Sequence, residues 1–243
     1  MLTDVEGIII NTKNYGDNSK ILDILTNEYG MIGVISKGCK SIKSNLRSVS
    51  DKLTYARFTI YYKSDKLSTL KEANIINNFS NIKKDIEKIS YACFLLDLAY
   101  QVHKQSDDKD IYSILISALI KINDNFNPLS IINIVELKYL NYLGIAPTLD
   151  GCSICGSKSI VTLSSDKGGY LCSKCHTNEP IFSEKAIKLV RMYTLVDIDK
   201  ISKLDISKDV INEVNNFIDD YYDRYTGLYL KSKSFLKNIS SMK

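Results

Sequence analysis

The chain has 243 residues, 44% of them apolar and 25% charged, an ordinary composition for a folded chain of one or two domains that needs no disulfide staples. Its 32 basic and 28 acidic residues leave a net charge of only +4, so the total alone carries no strong preference for polyanions. No apolar run approaches the ~18 residues that a membrane-crossing helix needs, and 11 glycines with 3 prolines exclude collagen-like or low-complexity sequence. The opening MLTDVEGIIINTKNYGD carries acids where a signal peptide carries lysines, which predicts no export by that route and a cytoplasmic chain.

Residues 1–79 read as a small β domain. Gly7 to Tyr15 is an apolar run that ends at the turn signal Gly16-Asp17-Asn18. Lys20 to Thr26, Met31 to Ser36, Ala56 to Tyr62 and Leu67 to Ile76 are four further short runs, with a looser basic stretch between the third and fourth. Five strands at this spacing predict a small closed or partly open barrel, of which the OB-fold is the best-known form. A small sandwich or an SH3-like barrel gives a similar pattern.

The period then changes from strand to helix. Ile82, Ile86, Ile89, Cys93, Leu96 and Tyr100 recur three and four apart, as do Ile111, Leu115, Ala118, Leu119 and Ile122. Pro128 opens a helix that buries Ile131, Ile134, Val135, Leu137 and Leu140 and stops at Gly144. Ser183 is an N-cap for a helix carrying Ile187, Val190 and Tyr193. A last long helix carries Val210, Val214, Phe217, Ile218, Tyr221 and Tyr225, followed by a frayed basic tail, KSKSFLKNISSMK. Residues 80–150 and 181–243 are therefore expected to form one helical domain, interrupted at 151–180 by a loop-rich insert.

That insert holds four of the six cysteines. Cys152 and Cys155 form one C-x2-C pair, and Cys172 and Cys175, after sixteen residues, form the other. This spacing fits a zinc ribbon or knuckle, because two intervening residues let both thiolates of a pair reach one ion at ~2.3 Å. Disulfides are disfavoured without an export signal, and an iron–sulfur cluster is the main rival metal group. His176 directly follows Cys175 and is a substitute ligand, although four thiolates suffice. With every coordination position filled by protein, the expected zinc is structural, not catalytic. Cys93 falls on an apolar helix face and reads as core.

Signals for catalysis are weak. There are only two histidines, and His103 reads as a helix-end residue. Gly33 to Ser41 resembles a phosphate-binding loop, but the lysine arrives one residue late and no helix opens there. The sequence predicts no enzyme.

From Met31 to Lys71 there are nine basic residues against two acids, Asp51 and Asp65. Lys37, Lys40, Lys43 and Arg47 fall in one acid-free stretch, and Arg57 and Lys63 follow, interleaved with Tyr55, Phe58, Tyr61 and Tyr62. Cations that track phosphates and aromatic faces that stack on bases are what a single-strand groove needs. A barrel core would claim Phe58 and Tyr62 instead, while the lysines have no such use.

Taken in order, several segments resemble the RecO family of bacterial recombination mediators. They are Glu6-Gly7-Ile8-Ile9, Tyr15-Gly16-Asp17-Asn18-Ser19-Lys20-Ile21-Leu22, Thr26-Asn27-Glu28-Tyr29-Gly30, Ser36-Lys37-Gly38-Cys39-Lys40, and Tyr142 to Asp150 running into Cys152 and Cys155. The resemblance implies an N-terminal OB-fold that binds single- and double-stranded DNA, strand annealing without nucleotide hydrolysis, and partnership with RecR. It also implies contact with the tail of the single-strand DNA-binding protein, and through that the loading of RecA, in the bacterial nucleoid. The family's lysine–glycine motif falls on Lys37 and Gly38, and its next basic position on Lys40. That position is often arginine, so lysine keeps the charge but loses the bidentate fork.

The family's acidic tail ligand ends in a hydrophobic residue with a free carboxylate and needs an apolar slot flanked by cations. Phe217 and Tyr221 of the last helix offer the slot. Arg224 and Lys231 near its end, or Arg191 on the preceding helix with Lys185 and Lys188, offer the cations. Of these, Arg191 or Arg224 is the expected carboxylate partner. The rival function is a zinc-ribbon accessory factor that works mainly through protein contacts; a nucleotide kinase with a zinc lid is disfavoured by the missing phosphate loop.

Overall fold

The computed structural model describes residues 1–64, 66–230, 232, 233 and 236. Most of the basic tail, Lys231 included, falls outside them. The chain divides into two compact units, one built on Met1–Ile116 and the other spanning Ser117–Lys231.

The first unit opens with five strands: β1 (Leu2–Tyr15), β2 (Ser19–Thr26), β3 (Gly30–Ser36), β4 (Tyr55–Tyr61) and β5 (Ser68–Asn77). They close into a barrel in the order β1-β2-β3-β5-β4. The long β1 makes the closure possible. Its first half runs antiparallel to β4, from Leu2 opposite Tyr61 to Ile8 opposite Tyr55, and its second half pairs with β2 as far as Tyr15 opposite Ser19. The β3–β5 seam is parallel, with Val34 opposite Ser68. Five strands closed in this order form the OB-fold barrel expected from the strand count.

Alternation fills the interior. Val5, Ile9, Leu22, Ile24, Phe58 and Ile60 belong to one buried apolar cluster. β1 begins at Leu2, five residues earlier than the apolar run indicates. Its first residues alternate Asp4 and Glu6 with buried Val5, and the two carboxylates accept hydrogen bonds from Thr59 Oγ1 (2.6 Å) and Tyr55 OH (2.5 Å). Those partners lie about fifty residues away along the chain, so a local reading of the sequence does not see them.

Two helical segments follow, α1 (Ser80–Lys83) and α2 (Ile86–His103). The single periodic helix read from Ile82 onward breaks at Asp85, whose carboxylate accepts the N–H groups of Glu87 (2.9 Å) and Lys88 (3.2 Å) and starts α2 afresh. The expected buried face of α2 is also corrected. Leu96 is buried as expected, but Ile86 is 73% exposed and Cys93 only half-buried, whereas Tyr91, Phe94, Leu95, Leu98 and Val102 are buried too. A helix buried almost all round carries no single apolar stripe to read.

Helix α3 (Asp110–Asn123) leads from the first unit into the second. There α4 (Pro128–Tyr142) packs against α5 (Glu184–Leu195) and α6 (Lys208–Tyr225). Ile131, Ile134, Val135, Leu137 and Leu140 are buried on α4 as expected. Asn127 caps α4 and Ser183 caps α5, each through its side chain. Polar ties join α4 to α6: Tyr222 OH donates to Glu136 O (2.8 Å) and Asn133 Nδ2 to Ile211 O (3.2 Å). Between α4 and α5 lies a two-stranded sheet, β6 (Ile160–Ser164) and β7 (Gly169–Cys172). Among the described residues no helix is long and apolar enough to cross a membrane.

Candidate metal centre and nucleic-acid interface

The insert brings its four cysteines to one point. The ligand atoms of Cys152, Cys155, Cys172 and Cys175 all lie within 4.8 Å of one another, and the Cys155 and Cys172 sulfurs are 3.6 Å apart. All six cysteines are free, so this is no disulfide pair. Four thiolates at ~2.3 Å from one ion would stand about this far apart.

Local folding explains the convergence. Each C-x2-C pair sits in a tight turn, closed by Gly156 N to Cys152 O (2.8 Å) and by Cys175 N to Cys172 O (3.1 Å). β7 places Cys172 beside Ile160, and Ser153 N donates to Tyr170 O (2.8 Å), which draws the first turn onto the second strand. Gly169 permits a further close approach. Its φ is +149°, and a Cβ there would lie 2.2 Å from the Thr148 carbonyl oxygen, so any side chain would push the hairpin off the segment that precedes it.

The electrostatics favour a cation. Burial pushes the Cys152 thiol up, but the N–H groups of Cys155, Cys172 and Ile154 outweigh it and bring it down to about 6. Cys175 moves the other way, pushed up to about 12 by its hydrogen bond to Cys155, by burial and by the neighbouring thiols. Sulfurs packed this closely cannot all shed their protons unless a positive ion balances them. The residues present therefore fit a tetrahedral thiolate-bound metal. His176 Nε2 is instead 2.9 Å from the Glu179 carbonyl oxygen, turned to a backbone partner.

The basic stretch forms the β3–β4 connection of the barrel. Lys37, Lys43 and Arg47 are exposed, and Lys40 is half-buried. The loop is anchored to the β1–β2 turn: Lys40 N donates to Asn18 O (3.0 Å), Gly38 N to Ser19 Oγ (3.2 Å), and Lys40 Nζ lies 3.5 Å from Gly16 O. Buried Cys39 pins the loop between its exposed lysines. Arg57 and Lys63 stand elsewhere, on β4 and just after it. Arg57 is exposed opposite Glu6, 3.7 Å from its carboxylate, and Lys63 is exposed beyond the strand end. Of the four interleaved aromatics, Tyr55 and Phe58 are buried, Tyr62 stacks on Tyr29 at 4.6 Å, and Tyr61 is exposed. Tyr15 and Ile42, not picked out from the sequence as binding residues, are also exposed. In the sequence Tyr15 is an aromatic residue at a glycine-containing turn that opens one of the family-like segments, and neither feature marks it as a binding residue.

Two family models divide the chain between them. "Recombination protein O N terminal" matches residues 1–79, and "Recombination protein O C terminal" matches residues 83–234. The chain belongs to the RecO family. A protein of Listeria monocytogenes serotype 4b named "DNA repair protein RecO" is 34% identical over 241 residues, covering 96% of this chain and 93% of its own. Proteins of the same name from Bacillus pumilus and Bacillus velezensis are 33% and 32% identical, each covering 100% of this chain and 96% and 97% of their own length.

In this RecO-family chain the four residues expected at a docking slot separate. Phe217 and Arg224 line one cleft of about 510 Å³, beside Phe182 and the carboxylates of Asp166, Glu213 and Asp220. Phe217 and Tyr221 are buried in the α6 face, and Arg224 is held by Asp220 (3.0 Å) and Asp166 (3.4 Å). Arg191 lines a different cleft, of about 770 Å³, along α5. Ile160, Ile187, Met192 and Leu195 supply its apolar surface, with Lys158, Lys188 and the Glu184 carboxylate that pairs with Lys188 (2.5 Å) at its edge. Leu195 is 73% exposed, and Arg191 pairs with the exposed Asp150 at 3.1 Å.

Proposed function

We propose that this chain is a DNA-binding recombination mediator of DNA repair that anneals complementary strands. It would help load RecA onto single-stranded DNA coated by the single-strand DNA-binding protein. The observation that carries this reading is the acid-free loop of Lys37, Lys40, Lys43 and Arg47, held on a closed five-strand barrel by the β1–β2 turn. Exposed cations on a pinned loop exchange counterions for phosphates without any need for base-edge readout. The chain acts by binding, without a catalytic step, in the cytoplasm at the nucleoid, and RecR is its protein partner. The four-cysteine centre holds one zinc ion as a structural brace.

The cleft along α5 suits the tail of the single-strand DNA-binding protein better than the cleft around Phe217 does. Its rim carries three cations, Lys158, Lys188 and Arg191, against one carboxylate, Glu184, whereas Asp166, Glu179, Glu213 and Asp220 stand against Arg224 alone in the Phe217 cleft. Leu195→Glu is expected to abolish binding of an acidic, hydrophobic-ended tail peptide, and unchanged binding removes the α5 cleft from the reading.

The deciding experiment is annealing of complementary strands coated with single-strand DNA-binding protein, with the wild-type chain and with Lys37, Lys40 and Lys43 changed together to Glu. The wild type should accelerate annealing and the triple variant should not. The salt slope of DNA binding should also become shallower by about 2, at ~0.7 for each single-strand phosphate that is no longer neutralised. A folded triple variant with undiminished DNA affinity moves the site off this loop. A wild-type chain that neither binds nor anneals DNA leaves the accessory-factor reading.

A further inference from the structure

We propose that Tyr15, at the β1–β2 turn, is a base-stacking residue that makes this surface favour unpaired strands over duplex. The inference rests on the reading of the 37–47 loop as a DNA surface and adds to it which form of DNA the surface takes. Tyr15 is the last residue of β1 and is 53% exposed, although it pairs across the turn with Ser19. Ser19 Oγ accepts the Gly38 N–H, and Lys40 Nζ reaches the carbonyl of Gly16, the residue next to Tyr15. The hydrogen bonds therefore tie the turn next to this exposed tyrosine to the lysine loop.

The turn and the loop leave room for a ligand. Gly16 and Gly38 both have positive φ (+59° and +67°), and a Cβ added at either would meet no atom within 4 Å. The same loop carries Ile42, 86% exposed between Lys40 and Lys43, so the surface around the cations is partly apolar. A purely phosphate-tracking surface has no use for exposed apolar groups. A groove for single strands does, because unpaired bases present their faces.

The chemistry separates the two forms of DNA. Lysines attract the phosphates of either form. Bases inside a duplex are stacked on one another, so a ring at a turn reaches no base face there, and Tyr15 strengthens binding only when bases are unpaired. Stacking on a face also leaves the pairing edge of the base free, which is the condition for a held strand to meet its complement.

The test measures affinities of the full-length chain for a labelled oligo-dT strand and for a duplex of the same length, at one fixed salt concentration, with Tyr15→Ala and Tyr15→Phe. Tyr15→Ala should weaken oligo-dT binding by roughly ten-fold and leave duplex binding unchanged, since base–aromatic stacking lies in that range. Tyr15→Phe keeps the ring and should keep the affinity, which separates loss of stacking from a disturbed turn. Equal loss on both DNA forms, no loss on either, or loss with Tyr15→Phe as well overturns the inference while the lysine loop stands. A wild-type chain that binds neither form overturns the DNA reading, and this inference with it.

Discussion

The barrel and the four-cysteine insert are both built mainly from antiparallel strand pairs, yet they are held by different forces. The barrel buries a cluster of ten apolar residues, among them Val5, Leu22, Ile24, Phe58 and Ile60, and its closure leaves no strand without a neighbour. The buried cluster of the insert is Cys152, Leu171 and Cys172, under a sheet of two strands. A lone hairpin is marginal in water, and the large side chains that 151–180 buries are only Leu163, Tyr170 and Leu171, against ten apolar residues in the barrel cluster. The lesson is that strand content does not identify the source of stability: apolar area decides in the barrel, and coordination must decide in the insert.

The sharpest way to break this comparison is to remove a ligand. Cys172→Ser should eliminate stoichiometric metal and unfold residues 151–180, because metal binding contributes roughly 10–16 kcal/mol to such structural sites. Hydrogen exchange should show amide protection lost across β6 and β7 and kept across β1–β5, with elemental analysis reporting the metal. Protection unchanged in the hairpin would mean that its few apolar residues suffice. Iron with sulfide in place of zinc would keep the comparison and change the metal.

The converse change belongs in the barrel. Phe58 is fully buried, so Phe58→Ala should destabilise the first unit by about 3–5 kcal/mol through lost burial and an unfilled cavity. Metal content should not change. A variant that lost its metal as well would show that the insert depends on the barrel, and the contrast between the two regions would fail.

What the sequence revealed follows the same division. The cysteine spacing is local, and it pointed correctly to a cluster that can hold a metal. The barrel was legible from its strand runs, since alternation is local too. The features that escaped depend on contacts remote in sequence. The early start of β1 rests on Asp4 and Glu6 meeting Thr59 and Tyr55. The break at Asp85 is a local cap, but the apolar period runs through it and hides it. The α2 face was misread because helical period identifies a face only when another face is wet. Arg191 and Phe217 both read as partner residues, and only the packing of the insert against α5 and α6 places them in separate clefts. Exposure decides the status of Tyr15 and Ile42, and side-chain type does not predict it.

The smallest expected effect tests whether the barrel uses polar ties as well as apolar area. Glu6 Oε1 accepts from Tyr55 OH at 2.5 Å and from Tyr112 OH at 3.2 Å, joining β1 to β4 and to the start of α3. Burial and the hydrogen bond to Glu6 push the Tyr55 hydroxyl up to about 12. Tyr112 is raised as well, by burial and by Tyr55. An unfolded tyrosine loses its proton near ~10. Below that pH both states hold the proton and the tie contributes fully. Between about 10 and 12 the unfolded chain ionises while the folded chain does not, so stability must fall as pH rises through this window. Tyr55→Phe should destabilise the first unit by about 1–2 kcal/mol near neutral pH, less than a full charged hydrogen bond because Tyr112 still serves Glu6. It should also flatten the alkaline decline. Urea unfolding followed by circular dichroism at pH 8 and pH 11 measures both effects. A decline as steep in Tyr55→Phe as in the wild type would assign the alkaline sensitivity to other tyrosines, and the barrel would then rest on its apolar interior alone.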